Sequence, residues 1–261
     1  MPLKSQIQKT LVYRLYREKA VPWLEEGRHR RIIRWYPRSP YPDRIRMMRD
    51  RHDGARCFII GNGPSLSPAD LSRLTGEITF STNYITRLFP ETSWRPYYYM
   101  LSDLFCSLRI DARTVPCETA LVGMEKNPSL IRKYRNTDGV VLYLKRTALR
   151  DGLFPEANGN LEDYVSSGHT TLFEACEWAM YFGCTTLILL GCDCDYQGKD
   201  LHFYKDSQQS RAWVNPDEAE KMQFAWSAIK EYADAHGVKV LNATRGGRLE
   251  IFERVDFDSL F

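Results

Sequence analysis

The sequence predicts an α/β protein. One doubly wound, Rossmann-like domain with a mostly parallel sheet covers residues 56–261, and a basic helical N-terminal arm precedes it over residues 1–55. Three observations predict this arrangement: short apolar runs recur after residue 56, helical patterns separate several of them, and the basic residues concentrate at the start of the chain. Short apolar runs are typical of strands buried on both faces, and their alternation with helices is typical of parallel sheets.

Seven apolar runs predict the strands of this sheet, at residues 57–60, 78–81, 97–101, 120–122, 140–144, 186–190 and 238–241. The clearest helical patterns cover residues 170–182 and 216–236, the second with a proline in its first turn. Within the arm, residues 4–20 predict a helix that Pro22 interrupts, and the stretch 35–53, rich in Pro and Arg, predicts a wrapping arm or linker.

The composition fits a folded protein. Hydrophobic residues make up 43% of the 261 positions and aromatic residues 13%, which excludes global disorder. No run of about twenty apolar residues predicts a membrane-spanning helix, and the N-terminus lacks the pattern of a secretory signal. Seven cysteines without framework spacing predict reduced thiols and a cytoplasmic location. Cys192 and Cys194 have no second Cys or His pair nearby, so no zinc site is predicted.

The charge is distributed unevenly along the chain. Residues 1–56 hold 15 Lys and Arg against 6 Asp and Glu, a net of +9, so the remainder carries +3 minus +9, or −6. Basic residues interleaved with apolar and aromatic ones predict contact of residues 1–50 with an anionic membrane surface, peripheral at the inner face. A solvated helix packed on the domain and a contact between subunits are the alternatives. No nucleic-acid partner is predicted, because no reader motif is present and the main domain is acidic.

The most informative local pattern is the turn Gly61-Asn62-Gly63-Pro64-Ser65-Leu66 after the first predicted strand. Its glycines let a ligand approach the backbone closely, and Ser65 or Ser67 would cap the following helix. Free amides at a helix start attract phosphate, so the turn predicts a nucleotide site. It lacks the lysine of a Walker loop and the third glycine of the dinucleotide motif, and an ordinary tight turn is the alternative.

Polar residues also follow other predicted strands, and ligands of a doubly wound sheet bind at the carboxyl ends of its strands. An Asn there can bond a base or ribose, and an Asp can hold a ribose hydroxyl or a metal, whereas capping or turn formation is the structural alternative. Hydroxyls and amides before the helix at 170–182 suit another anionic group, or an ordinary cap. These candidates are Asn83, Ser102, Asp103, Ser167, Gly168 and Thr170.

The strand at 186–190 runs into Asp193, Asp195 and Tyr196, and His202 and Tyr204 follow soon after. Two acids, a histidine and two tyrosines are unusual for a purely structural connection. His202 titrates near neutrality and can serve as general acid or base, although a lone histidine can also be structural. His202 and Asp193 are therefore the predicted catalytic residues, and the two tyrosines are assigned to the nucleotide site.

These motifs occur in an order that resembles a known group. The motifs are residues 58–66, Asp70-Leu71, residues 79–83, 98–103, 189–193, 202–204 and 241–252. The chain resembles the 6-hydroxymethylpterin pyrophosphokinase-like (MptE-like) domain family, which includes archaeal pterin pyrophosphokinases and motility-associated factors implicated in adding nonulosonic acids to flagellin. It also resembles the bacterial sialyltransferases of lipooligosaccharide synthesis, which share the Gly-Asn-Gly-Pro-Ser turn, the Asn after the second strand and a Ser-Gly pair before a later helix. The resemblance covers about residues 56–255.

The sialyltransferase resemblance implies particular roles. It implies that residues 61–65, Asn83, Ser167 and Gly168 contact a CMP-sugar donor, and that Tyr196 and Tyr204 stand for the tyrosines that neutralise the leaving phosphate. Those enzymes carry their catalytic histidine on a later lid. The corresponding region here, near residues 213–216, contains no histidine. His202, His169 or an Asp would have to take the place of that base.

Three hypotheses follow. The favoured one is a glycosyltransferase that uses a CMP-activated nonulosonic acid or related donor, without a cofactor, on a glycan or lipid-linked acceptor. The second is a 6-hydroxymethylpterin pyrophosphokinase that uses ATP and Mg²⁺, with the metal held by Asp103, Asp193 or Asp195. The third is a non-catalytic nucleotide-binding domain of a glycan-assembly complex. Assembly into a homo-oligomer stays open.

Overall fold

The computed structural model describes residues 21–125, 127–150, 154–195, 202–204 and 218–261. Within them the seven predicted strands are confirmed to within two residues at each end. They are β1 (Arg56–Ile60), β2 (Thr79–Thr82), β3 (Tyr98–Leu101), β4 (Thr119–Met124), β5 (Val140–Arg146), β9 (Thr186–Leu190) and β10 (Lys239–Asn242). Four two-residue strands have too few residues for a recognisable pattern: β6 (Leu149–Arg150), β7 (Phe154–Pro155), β8 (Val165–Ser166) and β11 (Glu253–Arg254).

Nine of these strands form one sheet in the order β11-β10-β9-β1-β2-β3-β4-β5-β8, and every neighbouring pair is parallel. The remaining two, β6 and β7, pair antiparallel. From β1 the chain builds the sheet outward to β8 and then returns to place β9 on the other side of β1. The connections therefore leave β1 and β9 in opposite directions, which creates a switch point where doubly wound sheets bind ligands.

Helices flank the sheet, which confirms the predicted α/β fold. They are α1 (Val21–Trp35), α2 (Tyr41–Arg46), α3 (Pro68–Ser72), α4 (Leu104–Arg109), α5 (Ser129–Tyr134), α6 (Thr171–Tyr181) and α7 (Glu218–Ala235). Short 3-10 helices cover Tyr36–Arg38, Asn83–Leu88, Ala112–Thr114 and Phe257–Leu260. None of the helices in the described part of the chain has both the length and the apolar composition that a membrane span needs.

The central helix α6 begins where the sequence predicts. Thr170 adopts an extended backbone and its side chain accepts a hydrogen bond from the Leu172 amide at 3.3 Å, which caps the helix. Nearly every side chain from Phe173 to Tyr181 is buried, because the helix packs across β1, β2 and β3. A helix that is mostly apolar around its circumference is expected at such a position.

The described part of the arm belongs to the folded body. Ile32, Tyr36, Tyr41 and Ile45 are almost fully buried and join the same hydrophobic core as the sheet. The stretch 35–53, predicted as an arm or linker, thus packs against the domain. Pro22 lies in the first turn of α1, whereas the helix predicted over residues 4–20 lies outside the described residues.

An ion pair also fastens the arm. Arg49 donates to the nearly buried Glu162 carboxylate at 3.2 Å, and Tyr181 of α6 donates its hydroxyl to the same carboxylate at 2.9 Å. The Arg49 guanidinium also lies 4.4 Å from the centre of the Tyr181 ring. Charge-assisted hydrogen bonds and a cation–π contact at one point hold the segment in a fixed position.

Candidate functional site

A cleft of about 180 Å³ opens at the switch point, over the carboxyl ends of β1, β2 and β9 and beside the first turn of α6. Its walls come from six parts of the fold. The lining residues are Asn62 and Gly63 after β1, Thr82 and Asn83 at the end of β2, residues 170–172 at the start of α6, residues 191–195 after β9, His202, and Met222 of α7. Parallel strands that end together bring these residues to one place although they lie far apart in sequence.

The Gly-rich turn forms the floor of the cleft and is bonded directly to the end of β9. The Gly61 amide donates to the Leu190 carbonyl at 2.8 Å, and the Gly63 amide donates to the Gly191 carbonyl at 2.9 Å. A Cβ on Gly63 would lie 1.8 Å from Oδ2 of Asp193 and 2.7 Å from the Gly191 carbonyl oxygen. Glycine is required here because two backbone segments approach too closely for any side chain.

Asp193 completes this attachment. Its carboxylate accepts hydrogen bonds from the Ser65 amide at 3.2 Å and from the Ser65 hydroxyl at 2.8 Å. Burial raises the pKa of the Asp193 carboxyl above its ordinary value, although the bonds from Ser65 act in the opposite direction. Its place in the cleft and the direction of this pKa shift make Asp193 a candidate proton acceptor.

These contacts correct the expected source of phosphate-binding amides. The amides of Gly61, Gly63 and Ser65 all have partners inside the protein, so the turn shapes the cleft and does not offer an open row of donors. Of the two predicted caps, Ser67 is the one observed, since its hydroxyl accepts from the Asp70 amide at 3.1 Å. The helix it caps, α3, begins only at Pro68.

Two asparagines line the cleft with unsatisfied oxygens. Asn62 donates its amide nitrogen to the Thr82 carbonyl at 3.1 Å, which fixes the orientation of its side chain. Asn83 has a left-handed backbone with φ of 51°, which the Tyr99 hydroxyl supports by donating to the Asn83 carbonyl at 2.7 Å. Among the described residues, these are the two cleft-lining side chains with a buried polar atom, Oδ1 in each, that has no donor. Such atoms are rare and need an explanation.

The start of α6 forms the opposite wall. Thr171 lines the cleft, and its hydroxyl is 3.1 Å from the Ser102 hydroxyl and 3.4 Å from the Asn83 amide nitrogen. Gly168 is instead buried behind the wall, where a Cβ would come within 2.2 Å of the Phe173 ring. Ser167 bonds through its amide to the Arg146 carbonyl at 2.8 Å. Of the three candidates before this helix, only Thr170 reaches the cleft.

Beneath this wall lies a buried polar network centred on Glu174. Its carboxylate accepts from the Ser102 hydroxyl at 3.0 Å, pairs with the Lys145 ammonium at 3.1 Å and accepts from the Tyr143 hydroxyl. Burial acts to lower the pKa of Lys145, but the charge and hydrogen bond of Glu174, together with the charges of Glu125 and Asp103, outweigh burial and raise the pKa. Burial and the Glu174 charge also raise the pKa of Tyr143, so this phenol stays protonated and donates. The network fixes Ser102 and, through it, Thr171.

Glu174, Lys145 and Tyr143 were not predicted from the sequence. A signal was present, because Glu174 and Glu177 are acids within an otherwise apolar helical pattern. Acids on a buried helix need partners or donors inside the protein. Leu172 and Met222, which give the cleft its apolar contacts, were also missed. Single apolar residues inside a helix carry no sign that they face a ligand rather than the core.

The segment 202–204 closes one side of the cleft. The Phe203 amide donates to the Asn62 carbonyl at 3.0 Å, which attaches the segment to the Gly-rich turn. His202 lines the cleft and stacks on Tyr204, with ring centres 4.9 Å apart. Tyr204 lies at the rim, in edge contact with Tyr84, and the Arg87 guanidinium is 4.3 Å from its ring centre. Tyr196 lies outside the described residues.

The remaining candidates lie outside the cleft lining. Asp103 caps α4 by accepting from the Cys106 amide at 2.8 Å, and Pro64 is exposed. The structure thus brings six of the fifteen predicted site residues together in the cleft: Asn62, Gly63, Asn83, Thr170, Asp193 and His202. Gly61, Ser65 and Ser102 support that lining from behind.

The described residues contain no group of three His, Cys, Asp or Glu side chains placed to hold a metal ion. The three acids proposed as ligands are already engaged, Asp103 by a helix amide, Asp193 by Ser65, and Asp195 by the Arg248 guanidinium at 3.5 Å.

Comparisons with known proteins indicate a shared fold. No family model matches the chain, and no curated protein matches it. The MAf glycosyltransferase from Magnetospirillum magneticum AMB-1 is similar with a TM-score of 0.53 and 15% identity, over 85% of this chain and 39% of that chain. This chain therefore spans well under half of that protein.

Two sialyltransferases from Campylobacter jejuni are also similar. The monofunctional alpha-2,3-sialyltransferase Cst-I has a TM-score of 0.52 and 16% identity, over 75% of this chain and 78% of that chain. CstII, in complex with the substrate analogue cytidine-5'-monophosphate, has a TM-score of 0.48 and 16% identity, over 78% of this chain and 85% of that chain. At this level of identity the similarity shows the fold alone.

Proposed function

We propose that the protein is a sialyltransferase-like glycosyltransferase. It takes a CMP-activated nonulosonic acid or a related nucleotide sugar and transfers the sugar to a hydroxyl of a cell-surface glycan precursor. One observation carries this proposal: two residues that line the switch-point cleft, Asn62 and Asn83, each have a buried Oδ1 without a donor. The fold shared with the MAf glycosyltransferase and Cst-I supports the reaction class.

The two oxygens favour the nucleoside end of such a donor. An amide oxygen accepts hydrogen bonds, so it matches an amino group of a base or a ribose hydroxyl and not a phosphate. A buried acceptor left without a donor costs about 1–3 kcal/mol, and a bound nucleoside would recover that energy. The phosphate would then lie toward Thr170 and Thr171, where the positive end of the α6 dipole stabilises an anion.

The proposed reaction forms one bond and breaks one. The acceptor oxygen attacks the anomeric carbon of the sugar, and the bond from that carbon to the phosphate oxygen breaks, so that CMP leaves with the bonding electron pair. A base removes the proton of the acceptor hydroxyl. His202 is the proposed base, with Asp193 as the second candidate because its pKa is raised. The start of α6 and the Tyr204 hydroxyl would stabilise the leaving phosphate, and no metal ion is required.

Replacing His202 by Ala should lower turnover by about 10²- to 10⁴-fold. CMP affinity should change little, because the ring would act on the acceptor hydroxyl. The assay follows CMP release from a panel of CMP-sugars in EDTA, with soluble glycan acceptors. His236→Ala is the matched control, since His236 lies at the end of α7 and stacks on Tyr232.

Several outcomes would contradict these assignments. Full activity in His202→Ala would remove His202 as the base. Turnover that appears only with ATP and Mg²⁺ would favour the pyrophosphokinase. Tight nucleotide binding without turnover of any donor would favour the non-catalytic hypothesis.

A further inference from the structure

The short helix α4 exposes three large apolar side chains beside the cleft. Leu104, Phe105 and Leu108 are 49%, 51% and 67% exposed. Five large hydrophobic side chains of the described residues are at least 49% exposed, and three of them lie on this one six-residue helix. Clustered apolar exposure of this kind marks a contact surface, whereas single exposed apolar residues need no explanation.

This helix belongs to the same edge of the sheet as the cleft. It follows β3 directly, and Ser102, the first residue after that strand, bonds to Thr171 of the cleft wall. Tyr84, in the 3-10 helix after β2, accepts a hydrogen bond at its hydroxyl from Arg109 at the end of α4. The apolar helix and the cleft opening are therefore neighbours.

Cations flank α4. Arg109 ends the helix, and Lys133 of α5 donates to the Ile110 carbonyl just beyond it at 3.3 Å. The basic helix α1 reaches the same edge, because a ring nitrogen of His29 lies 2.8 Å from the Glu125 carbonyl, directly after β4.

The exposed face of α1 also combines an apolar side chain with cations. Leu24, Arg28 and Arg31 are exposed and follow the i, i+4, i+7 spacing of a single helix face. Arginines beside an exposed leucine on one face are typical of helices that lie in a membrane interface.

We propose that α1 and α4 form one docking surface for an anionic membrane, with Leu104 and Leu108 entering the interface and Arg28 and Arg31 contacting lipid headgroups. This inference rests on the proposed function in one respect: the docking surface would present the cleft to a lipid-linked acceptor. The positive charge of this surface favours an anionic membrane over a second copy of the chain. A second copy of the chain would bring the same arginines against each other, whereas anionic headgroups neutralise them.

The test is flotation of the full-length protein with vesicles of phosphatidylcholine alone or with about a third phosphatidylserine, a composition at which basic residues add binding energy. Wild-type protein should float with the anionic vesicles and not with the neutral ones. The double variant Leu104→Gln, Leu108→Gln should partition at least about tenfold more weakly, because two half-exposed leucines no longer enter the interface. Arg28→Gln, Arg31→Gln should reduce binding to anionic vesicles in the same way.

The control is Met47→Gln. Met47 is 85% exposed, and its neighbour Asp50 bonds to the Tyr181 carbonyl at the far end of α6, so Met47 lies away from the cleft edge. This variant should float like the wild type. Equal flotation of wild-type and Leu104→Gln, Leu108→Gln protein would overturn the proposal, as would failure of the wild type to bind anionic vesicles. A dimer that this double variant converts to a monomer would reassign the surface to a second copy.

CMP release with soluble acceptors separates the two proposals. Lost flotation with unchanged turnover concerns only the docking surface. Intact flotation without turnover of any donor contradicts the proposed function.

Discussion

Replacing Glu174 by Ala is expected to lower the free energy of unfolding by about 3–5 kcal/mol, the range for breaking a buried ion pair from one side. The carboxylate is fully buried, accepts hydrogen bonds from Ser102 and Tyr143, and pairs with Lys145. Its removal leaves an ammonium and two hydroxyls without their acceptor, and each buried unsatisfied group adds to the loss. Urea denaturation followed by fluorescence, with equal slopes for both proteins, measures the effect.

Two variants make this result specific. Glu174→Gln keeps the shape of the side chain and one acceptor but removes the charge that Lys145 requires. Its free energy of unfolding should therefore lie between those of the wild type and Glu174→Ala. Glu231→Ala breaks an exposed pair with Arg150, whose charged atoms are 2.9 Å apart, and should leave the free energy of unfolding almost unchanged. If Glu174→Ala unfolds within 1 kcal/mol of the wild type, the network does not support the wall of the cleft.

Gly63→Ala should lower both the stability of the protein and its affinity for the nucleotide. The new methyl group would overlap the Asp193 carboxylate and the Gly191 carbonyl, so the turn must separate from β9. Overpacking of this kind costs about 1–3 kcal/mol. Movement of the turn would also displace the Asn62 oxygen, and nucleotide affinity should fall at least tenfold, or about 1.4 kcal/mol.

Gly27→Ala is the matched control for that substitution. Gly27 lies inside α1, and a Cβ there would meet no atom within 4 Å. Because Ala is the better helix former, this variant should be more stable than the wild type by up to about 1 kcal/mol. Gly63→Ala protein with wild-type stability and wild-type nucleotide affinity would show that the close approach to β9 is not required.

The main elements of the fold were predictable because their signals are local. A short apolar run between turns, such as residues 186–190, is typical of a buried strand, and Thr170 caps α6 as the sequence indicates. The packing of residues 35–53 was harder to predict. Tyr36, Tyr41 and Ile45 are core residues, yet the prolines and arginines between them remove any regular period.

The site was only partly predictable, because its chemistry depends on contacts between distant strands. The residues 61–65 suggest open amides, but the carbonyls that occupy two of them belong to Leu190 and Gly191, more than a hundred positions later. Glu174 likewise has its cation on β5. Spacing within the sequence indicates which residues reach the sheet edge, whereas only the fold determines which of them are already bonded.

The proposed function requires that the cleft between β1 and β9 binds the nucleotide of an activated sugar. A thermal-shift titration with CMP, CDP, UDP, GDP and ATP, each with Mg²⁺ and with EDTA, measures this binding. We expect saturable stabilisation by CMP that is the same in EDTA, worth about 2.7 kcal/mol at one hundred times the dissociation constant, and strongly reduced in Asn83→Ala. Stabilisation by ATP with Mg²⁺ but not by CMP, or an unchanged response in Asn83→Ala, would contradict it.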